Sequence, residues 1–520
     1  MPITDDFAAV AGPYVATAIC VYILLSLYPG ETKRNGLPPG PKGVPFLGNI
    51  HQLPQIDQHI TFTDWARQYG DIVYAEFFSK PTIILSSAKA AVDLMEKRGA
   101  KYSDRPPLFY FRELVGWTGN VGFAPYDDRW RRLRKWFQRG FIARSALDSY
   151  HPIQYREVRR LLRDLPQNTD NIVLELKRYT AAIMLEIGYG HTVTSLDDEY
   201  IKMIENGVRK CLSGSGAGSA LVDFFPILKY VPAWIPGMGF KYSAAIARKA
   251  IEDMEDIPYN AVNNVATGDA KPSFTTRMIE DCSRDGRLTA NDERDVRGAA
   301  GTLYAGKILS SLTSMLVFIL VMVQHPEIFN KVQEEMTRVV GEARLPNFED
   351  RVLLPYLECV IREVYRWCPS LPTSVPRQAM EDDVYRGYYI PKGSLVMANI
   401  WAMFRDPDVY PEPDVFKPER FLNVDGDADF DHKDPKKIIF GFGRRICPGR
   451  YFADDMIWLA AASIVATMDI RKVRNERGEE ITPMPKSISG VVMRPEPFVC
   501  DIRLRSEKSL QLILDSSTNI

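Results

Sequence analysis

The sequence predicts a mainly α chain with a small β-sheet region, built as one large domain behind an N-terminal transmembrane helix. Three observations point there. Residues 7–30, FAAVAGPYVATAICVYILLSLYPG, carry no charge. Two β-like runs occur early, IVYAEFF at 72–78 and TIILSS at 82–87, while from about residue 128 onward apolar residues recur at i, i+3 and i+4. No internal repeat or charge-block linker divides residues 50–510. One large domain therefore fits better than the three that roughly 150 residues per domain would suggest.

Composition narrows the function. Hydrophobic residues make up 46% and charged residues 25%, and 65 Lys+Arg balance 66 Asp+Glu. Disordered, collagen-like and polybasic nucleic-acid-binding classes are poor fits, so no nucleic acid partner is expected. The seven cysteines (Cys20, Cys211, Cys282, Cys359, Cys368, Cys447 and Cys500) are spread without a C-x-x-C, and the six histidines are scattered. Neither a disulfide framework nor a zinc site is indicated.

The elements follow in order. Residues 1–30 read as a membrane anchor: at 1.5 Å per residue the apolar run gives about 36 Å of helix, enough for a hydrocarbon core of about 30 Å. Asp5 and Asp6 precede it, and Lys33, Arg34 and Lys42 follow, which orients the remaining chain toward the cytosol. The acidic front end and the lack of a small-residue cleavage site argue against a cleaved signal peptide. Residues 31–49, with LPPGPKGVPFLGN, read as a stiff Pro-rich hinge. The run LTSMLVFILVMV at 312–323 is too short for a second span and reads as a buried central helix. LSGSGAGSA at 212–220 lacks the Gly-Lys-Ser/Thr ending of a phosphate loop. Residues 511–520 are expected to be a tail.

The most informative segment is FGFGRRICPG, Phe440 to Gly449. A thiolate ligand to haem iron must sit on backbone that approaches a flat macrocycle, which gives Gly441, Gly443, Pro448 and Gly449 a use around Cys447. Nearby N–H groups can tune the sulfur. Arg445 is placed to pair with a haem propionate, and Phe440 to shield the ligand side from water. A buried structural cysteine in a Gly-rich loop is the alternative that this segment alone leaves open.

The segment resembles the F-x-x-G-x-R-x-C-x-G loop of the cytochrome P-450 family, and further family motifs occur in order. Glu363-Val-Tyr-Arg366 is similar to its E-x-x-R helix, Pro418-Glu-Arg420-Phe421 to the segment whose arginine closes a Glu-Arg-Arg network, and Trp130 with Arg134 to its W-x-x-x-R helix. Arg377 stands where the family places another propionate partner. The resemblance runs from about residue 1 to 505. It implies the cytochrome P-450 fold, a haem b cofactor with Cys447 as iron ligand, and cofactor contacts from Arg445, Phe440, Gly441, Gly449, Trp130, Arg134 and Arg377. It also implies O2 and an NADPH-cytochrome reductase as partners and a small lipophilic substrate, in a single-pass endoplasmic reticulum membrane protein with a cytosolic catalytic domain. Family substrate-contact regions map onto 108–123, 212–225, Leu303 and Tyr304, 371–375 and 488–492. Residues 223–237 would dip into the membrane, and Arg131, Arg132, Lys135 and Arg139 become a docking patch for an acidic electron donor.

One departure stands out. The family's central helix carries an acid and an alcohol that help deliver protons to oxygen, whereas this chain places Leu309 at the acid and Ser310 and Ser311 at the alcohols, with Lys307 where small residues are usual. A serine hydroxyl keeps part of a relay; leucine does not. Hydroxylation of a lipophile, such as a terpenoid of fungal-type secondary metabolism, is the expected activity. A haem-dependent isomerase or dehydratase, and a weakly catalytic haem protein, are the alternatives that Leu309 opens.

Overall fold

The computed structural model describes residues 36–518 apart from Ser79, 214–216, 266–270, 284–286, 423–429 and 489–491. The expected anchor at 1–30 lies outside the described residues. Among those described, no single helix is long and apolar enough to cross a membrane.

The body is helical around one long central rod. In chain order its main helices are α1 (Gln58–Tyr69), α2 (Asp128–Phe141), α3 (Arg144–Asp164), α4 (Ile172–Tyr189), α5 (Glu199–Ser213), α6 (Ala217–Phe224), α7 (Phe240–Val265), α8 (Ala290–Gln324), α9 (Pro326–Val339), α10 (Pro355–Trp367), α11 (Arg450–Thr467) and α12 (Glu507–Thr518). The rod is α8. Thr289 caps its start by accepting the amide N–H of Asp292, and Asp292 and Glu293 complement the dipole of the first turn. From Leu312 to Val323 nearly every side chain is buried, all round the helix, which is why the segment is apolar without a polar face. His325 and Pro326 end it, since a residue before proline leaves the helical region. Helices α4, α7, α10 and α11 pack against this rod.

A four-stranded sheet stands to one side, in the order β1 (Ile72–Phe77), β2 (Lys80–Leu85), β4 (Leu395–Ala398), β3 (Arg377–Gln378). The first pair is antiparallel with Ile72 opposite Leu85; β2 and β4 run parallel with Thr82 opposite Leu395. The two β-like runs of the sequence are these first two strands.

Two expectations are corrected. The described part of the hinge, residues 36–49, lies along β1 rather than standing free. Tyr74 donates its N–H to the Pro39 carbonyl, and a Cβ on Gly40 would stand 1.9 Å from the Tyr74 carbonyl oxygen. Glycine is needed there because two backbones touch. The boundary at 510 falls inside α12, which packs on α3 and buries Ile513, so residues 511–518 continue the body rather than form a tail.

Candidate active site

Cys447 sits on the loop between a short helix at Pro435–Ile438 and α11, two residues before Gly449 at the α11 N-cap. That end of a helix carries partial positive charge. The loop folds back on itself: Cys447 donates its N–H to the Phe440 carbonyl at 2.8 Å, and Ile446 donates to Gly443 at 3.0 Å. Gly441 and Gly443 have φ of +76° and +51°, values that L-residues adopt with strain. A Cβ on Gly443 would also stand 2.2 Å from the Met95 carbonyl oxygen. Gly449 has an ordinary φ of −96° and serves as the helix cap. Phe440 is half-buried, edge-on to Tyr365 at 5.9 Å. The cysteine is half-buried and makes no disulfide.

Two arginines bond this loop, a third belongs to it, and a fourth, Arg105, lies close to two of them. Arg134 of α2 donates to the Ile446 carbonyl at 2.6 Å, and Arg377 of β3 to the Phe442 carbonyl at 2.6 Å and to Met95 at 3.0 Å. Arg445 donates to the carbonyls of Ser103 and Ala124, both at 2.8 Å, and its guanidinium carbon lies 4.4 Å from the ring centre of Trp130. Trp130 and Arg134, one helical turn apart, share a face of α2. Arg105 was not singled out from sequence; it donates to the carbonyls of Gly122, Val375 and Pro376. Its signal was the stiff Asp-Arg-Pro-Pro context that fixes an extended backbone around it.

All four cations are deeply placed, and among the described residues none forms an ion pair with a carboxylate. Burial pushes Arg134 and Arg445 down to about 10 and Arg377 to about 9, and Arg105 downward as well. Arg445 further lowers Arg105 and Arg377 by like-charge repulsion, while Asp104 offsets part of this for Arg105 and Arg445. The Arg134 Nε is buried with no hydrogen-bond acceptor. Buried charges of one sign need an anionic partner. A group that brings two carboxylates and takes a thiolate ligand meets that need, so these residues fit haem.

The Cytochrome P-450 family profile matches residues 38–501. The chain belongs to the cytochrome P-450 family. It is 46% identical over 506 residues to cytochrome P-450 monooxygenase 176 of Postia placenta, covering 97% of each chain. It is 35% identical over 488 residues to a tryptamine 4-monooxygenase of Psilocybe cyanescens, covering 93% of this chain and 96% of that one. A solved structure of a zebrafish cytochrome P-450 with abiraterone shares the fold, with a TM-score of 0.67, 20% identity, and coverage of 86% of this chain and all of that one. The P-450 fold, a haem cofactor held through a cysteine thiolate, and oxidoreductase activity of the monooxygenase class follow from this membership. The profile begins twelve residues before the expected domain start at 50, in keeping with the Pro-rich segment lying on β1.

The other predicted residues divide by face. Glu363 and Arg366 of α10 are both fully buried. Arg366 forms a bidentate pair with Glu363 at 2.7 and 2.8 Å and donates to the carbonyls of Phe404 and Pro413, while Arg420 reaches Glu363 at 3.2 Å. The expected three-residue network is therefore formed. Ser310 is half-buried on α8. Gly306, one turn earlier on the same face, is exposed, and a Cβ there would meet nothing within 4 Å, so this face borders open space. Ser311 is corrected: it points about 100° away, is 1% exposed and leaves its hydroxyl unpartnered in the packed core. The side chains of Tyr304, Lys307 and Leu309 lie outside the described residues.

A carboxyl not singled out from sequence packs against the same rod. Glu255 of α7 sits against Gly301, where a Cβ would stand 2.9 Å from its Cγ. Burial, with Asp256 adding, pushes it up to about 8, although Arg297 and Trp117 pull the other way. Gly301 and Ser310 are nine residues apart, about half a turn out of phase. Glu255 therefore occupies the opposite face and does not replace the acid missing at 309.

The arginine-rich face of α2 is largely neutralised within the molecule. Arg131 pairs with Asp128, Arg132 with Asp292 and Asp295, and Arg139 with Asp281. Of the expected docking patch, only Lys135 has no ionic partner among the described residues. The aromatic segment at 108–123 is a linked wall: Tyr110 meets Phe111 edge-on at 5.2 Å, Phe111 stacks on Phe123 at 4.9 Å, and Trp117 meets Phe123 edge-on at 5.7 Å.

Proposed function

We propose that this P-450 hydroxylates a small lipophilic metabolite, such as a terpenoid, at the endoplasmic reticulum membrane, with electrons from an NADPH-dependent reductase. The observation that carries the reading is the unpaired arginine cluster wrapped around the Cys447 loop. Cys447 is the iron ligand; Arg105, Arg134, Arg377 and Arg445 hold the propionates, with Trp130 stacked beneath Arg445. Bound haem supplies oxygen activation, favoured by the electron-donating thiolate. Ser310, on the accessible face of α8, passes protons with water, since its hydroxyl both donates and accepts. The aromatic wall at 109–123 provides an apolar, water-excluding lining.

Membrane contact is supported by a group of exposed apolar residues. Ile227, Tyr230 and Trp234 are 72%, 76% and 76% exposed. Phe225 beside them packs on Phe78, whose N–H donates to the carbonyl of exposed Leu47. An apolar patch of this kind marks an interaction surface.

The test is turnover with a purified fungal reductase, NADPH and a panel of terpenoids and aromatic amines under isotopically labelled O2. Product carrying one labelled oxygen is expected. Product formed equally without O2 or NADPH would instead select an isomerase or dehydratase.

A further inference from the structure

The aromatic wall begins in a short helix, Tyr110–Leu114, that has no capping side chain of its own. The first N–H groups of any helix need outside acceptors. Here the acceptor comes from far along the chain: Tyr110 donates its N–H to Asp223 Oδ1 at 2.9 Å. Asp223 lies at the end of α6, just before the exposed apolar segment at 225–234. Two more side chains from the same region grip the same loop. Lys229 pairs with Glu113 at 2.9 Å and lies 5.2 Å from the ring centre of Phe109. Arg248 of α7 donates to the carbonyls of Glu113 and Leu114.

We propose that Asp223 is a positioning residue for substrate binding, a carboxylate that anchors the Phe109–Leu114 loop and so fixes the aromatic wall to the segment that carries the exposed apolar surface. The inference rests on the reading of residues 109–123 as the pocket lining. The rings from Tyr110 through Phe111 and Phe123 to Trp117 touch in series, so a displaced Tyr110 moves the wall as a unit. Burial raises the Asp223 carboxyl to about 6, while the N–H groups of Tyr110 and Phe109 hold it down. At neutral pH it is an ionised acceptor, the stronger kind. Lys229 and Arg248 hold the far end of the same loop through Glu113 and Leu114, and Lys229 also touches the Phe109 ring, while Asp223 takes the backbone N–H at the loop's start.

The test uses the full-length holoenzyme. Amide hydrogen exchange of peptides covering 108–116 is compared for wild type, Asp223→Ala and Asp223→Asn, with dissociation rates of 4-phenylimidazole and of imidazole measured on each. Asp223→Ala is expected to speed exchange at 109–111 about tenfold, leave α11 unchanged, and speed release of the bulky 4-phenylimidazole several-fold but not that of imidazole. Asp223→Asn, which keeps one oxygen acceptor, is expected to fall between, and carries the test if the alanine variant does not fold. Unchanged exchange at 109–111 in both variants would overturn the anchor. Faster exchange with unaltered release of both ligands would overturn the pocket-lining reading and with it the positioning role.

Discussion

Arg134 shows how much one buried charge demands. Its guanidinium is held at about 10 by burial, bonds a single carbonyl of the Cys447 loop and leaves Nε without an acceptor. It is still cationic at neutral pH, so an anionic ligand is what completes it. Arg134→Met should lower the haem content of purified protein several-fold at unchanged far-ultraviolet circular dichroism, whereas Arg131→Met, which removes an exposed pair with Asp128 and a ring contact with Tyr126, should leave haem content intact; pyridine haemochrome assay decides. The two serines of α8 separate in the same way. Ser310→Ala should lower product formed per NADPH about two- to tenfold. Ser311→Ala should leave that ratio unchanged and shift stability by no more than about 1 kcal/mol, because it removes a buried hydroxyl that already lacks a partner. Equal coupling in both variants, measured as product against NADPH oxidised, would remove the relay role of Ser310. The sequence alignment already favoured Ser310 for the relay, and the 100° step of the helix turns Ser311 into the packed core.

At the scale of elements, the Glu363–Arg366–Arg420 network braces α10 against the segment at 411–420. Arg366 spends its donors on Glu363 and on carbonyls of Phe404 and Pro413. Removing one member of such a pair leaves an uncompensated buried charge. Glu363→Gln should therefore cost about 3–5 kcal/mol, read as a lowered denaturation midpoint. The α7–α8 contact adds a pH dependence. The folded state raises Glu255 to about 8, so the folded protein binds a proton that the unfolded chain has already released above its ordinary value near 4.5. Stability from this group is thus greatest at low pH and is lost as pH rises toward 8. Glu255→Gln should flatten that fall, by about 1–3 kcal/mol between pH 6 and pH 8; parallel curves for the two proteins would show that the carboxyl titrates normally. The uninterrupted apolar run at 312–323 made the buried half of α8 legible in the sequence. The packing of residues 36–49 on β1 was not, because it is made by backbone against backbone at Gly40 and Tyr74, and prolines and glycines read equally well as a free linker.

At the scale of the whole molecule, charge and apolar surface point in different directions. The arginines of α2 meet acids from α8 and from Asp281, a pairing across more than a hundred residues that no local reading of the sequence could reveal. The exposed apolar residues Ile227, Tyr230 and Trp234 are left facing solvent, and the proposed membrane contact is tested there. In full-length protein reconstituted with brominated lipids, Trp234 should account for a large part of tryptophan quenching, so Trp234→Phe should reduce it. Quenching that persists unchanged would place that segment in water. The loop that carries Cys447 was the most legible part of the chain, because close backbone approach restricts residue type at Gly441 and Gly443. The anionic demand of Arg105 emerged only from the assembled fold. The central claim, that Cys447 is the thiolate ligand in a site completed by those arginines, is tested most directly by the reduced carbon monoxide difference spectrum of wild type and Cys447→Ser. The thiolate-type absorption band is expected in wild type and its loss in the variant; a folded, haem-loaded wild type without that band, or a variant that keeps it, would rule out Cys447 as the ligand.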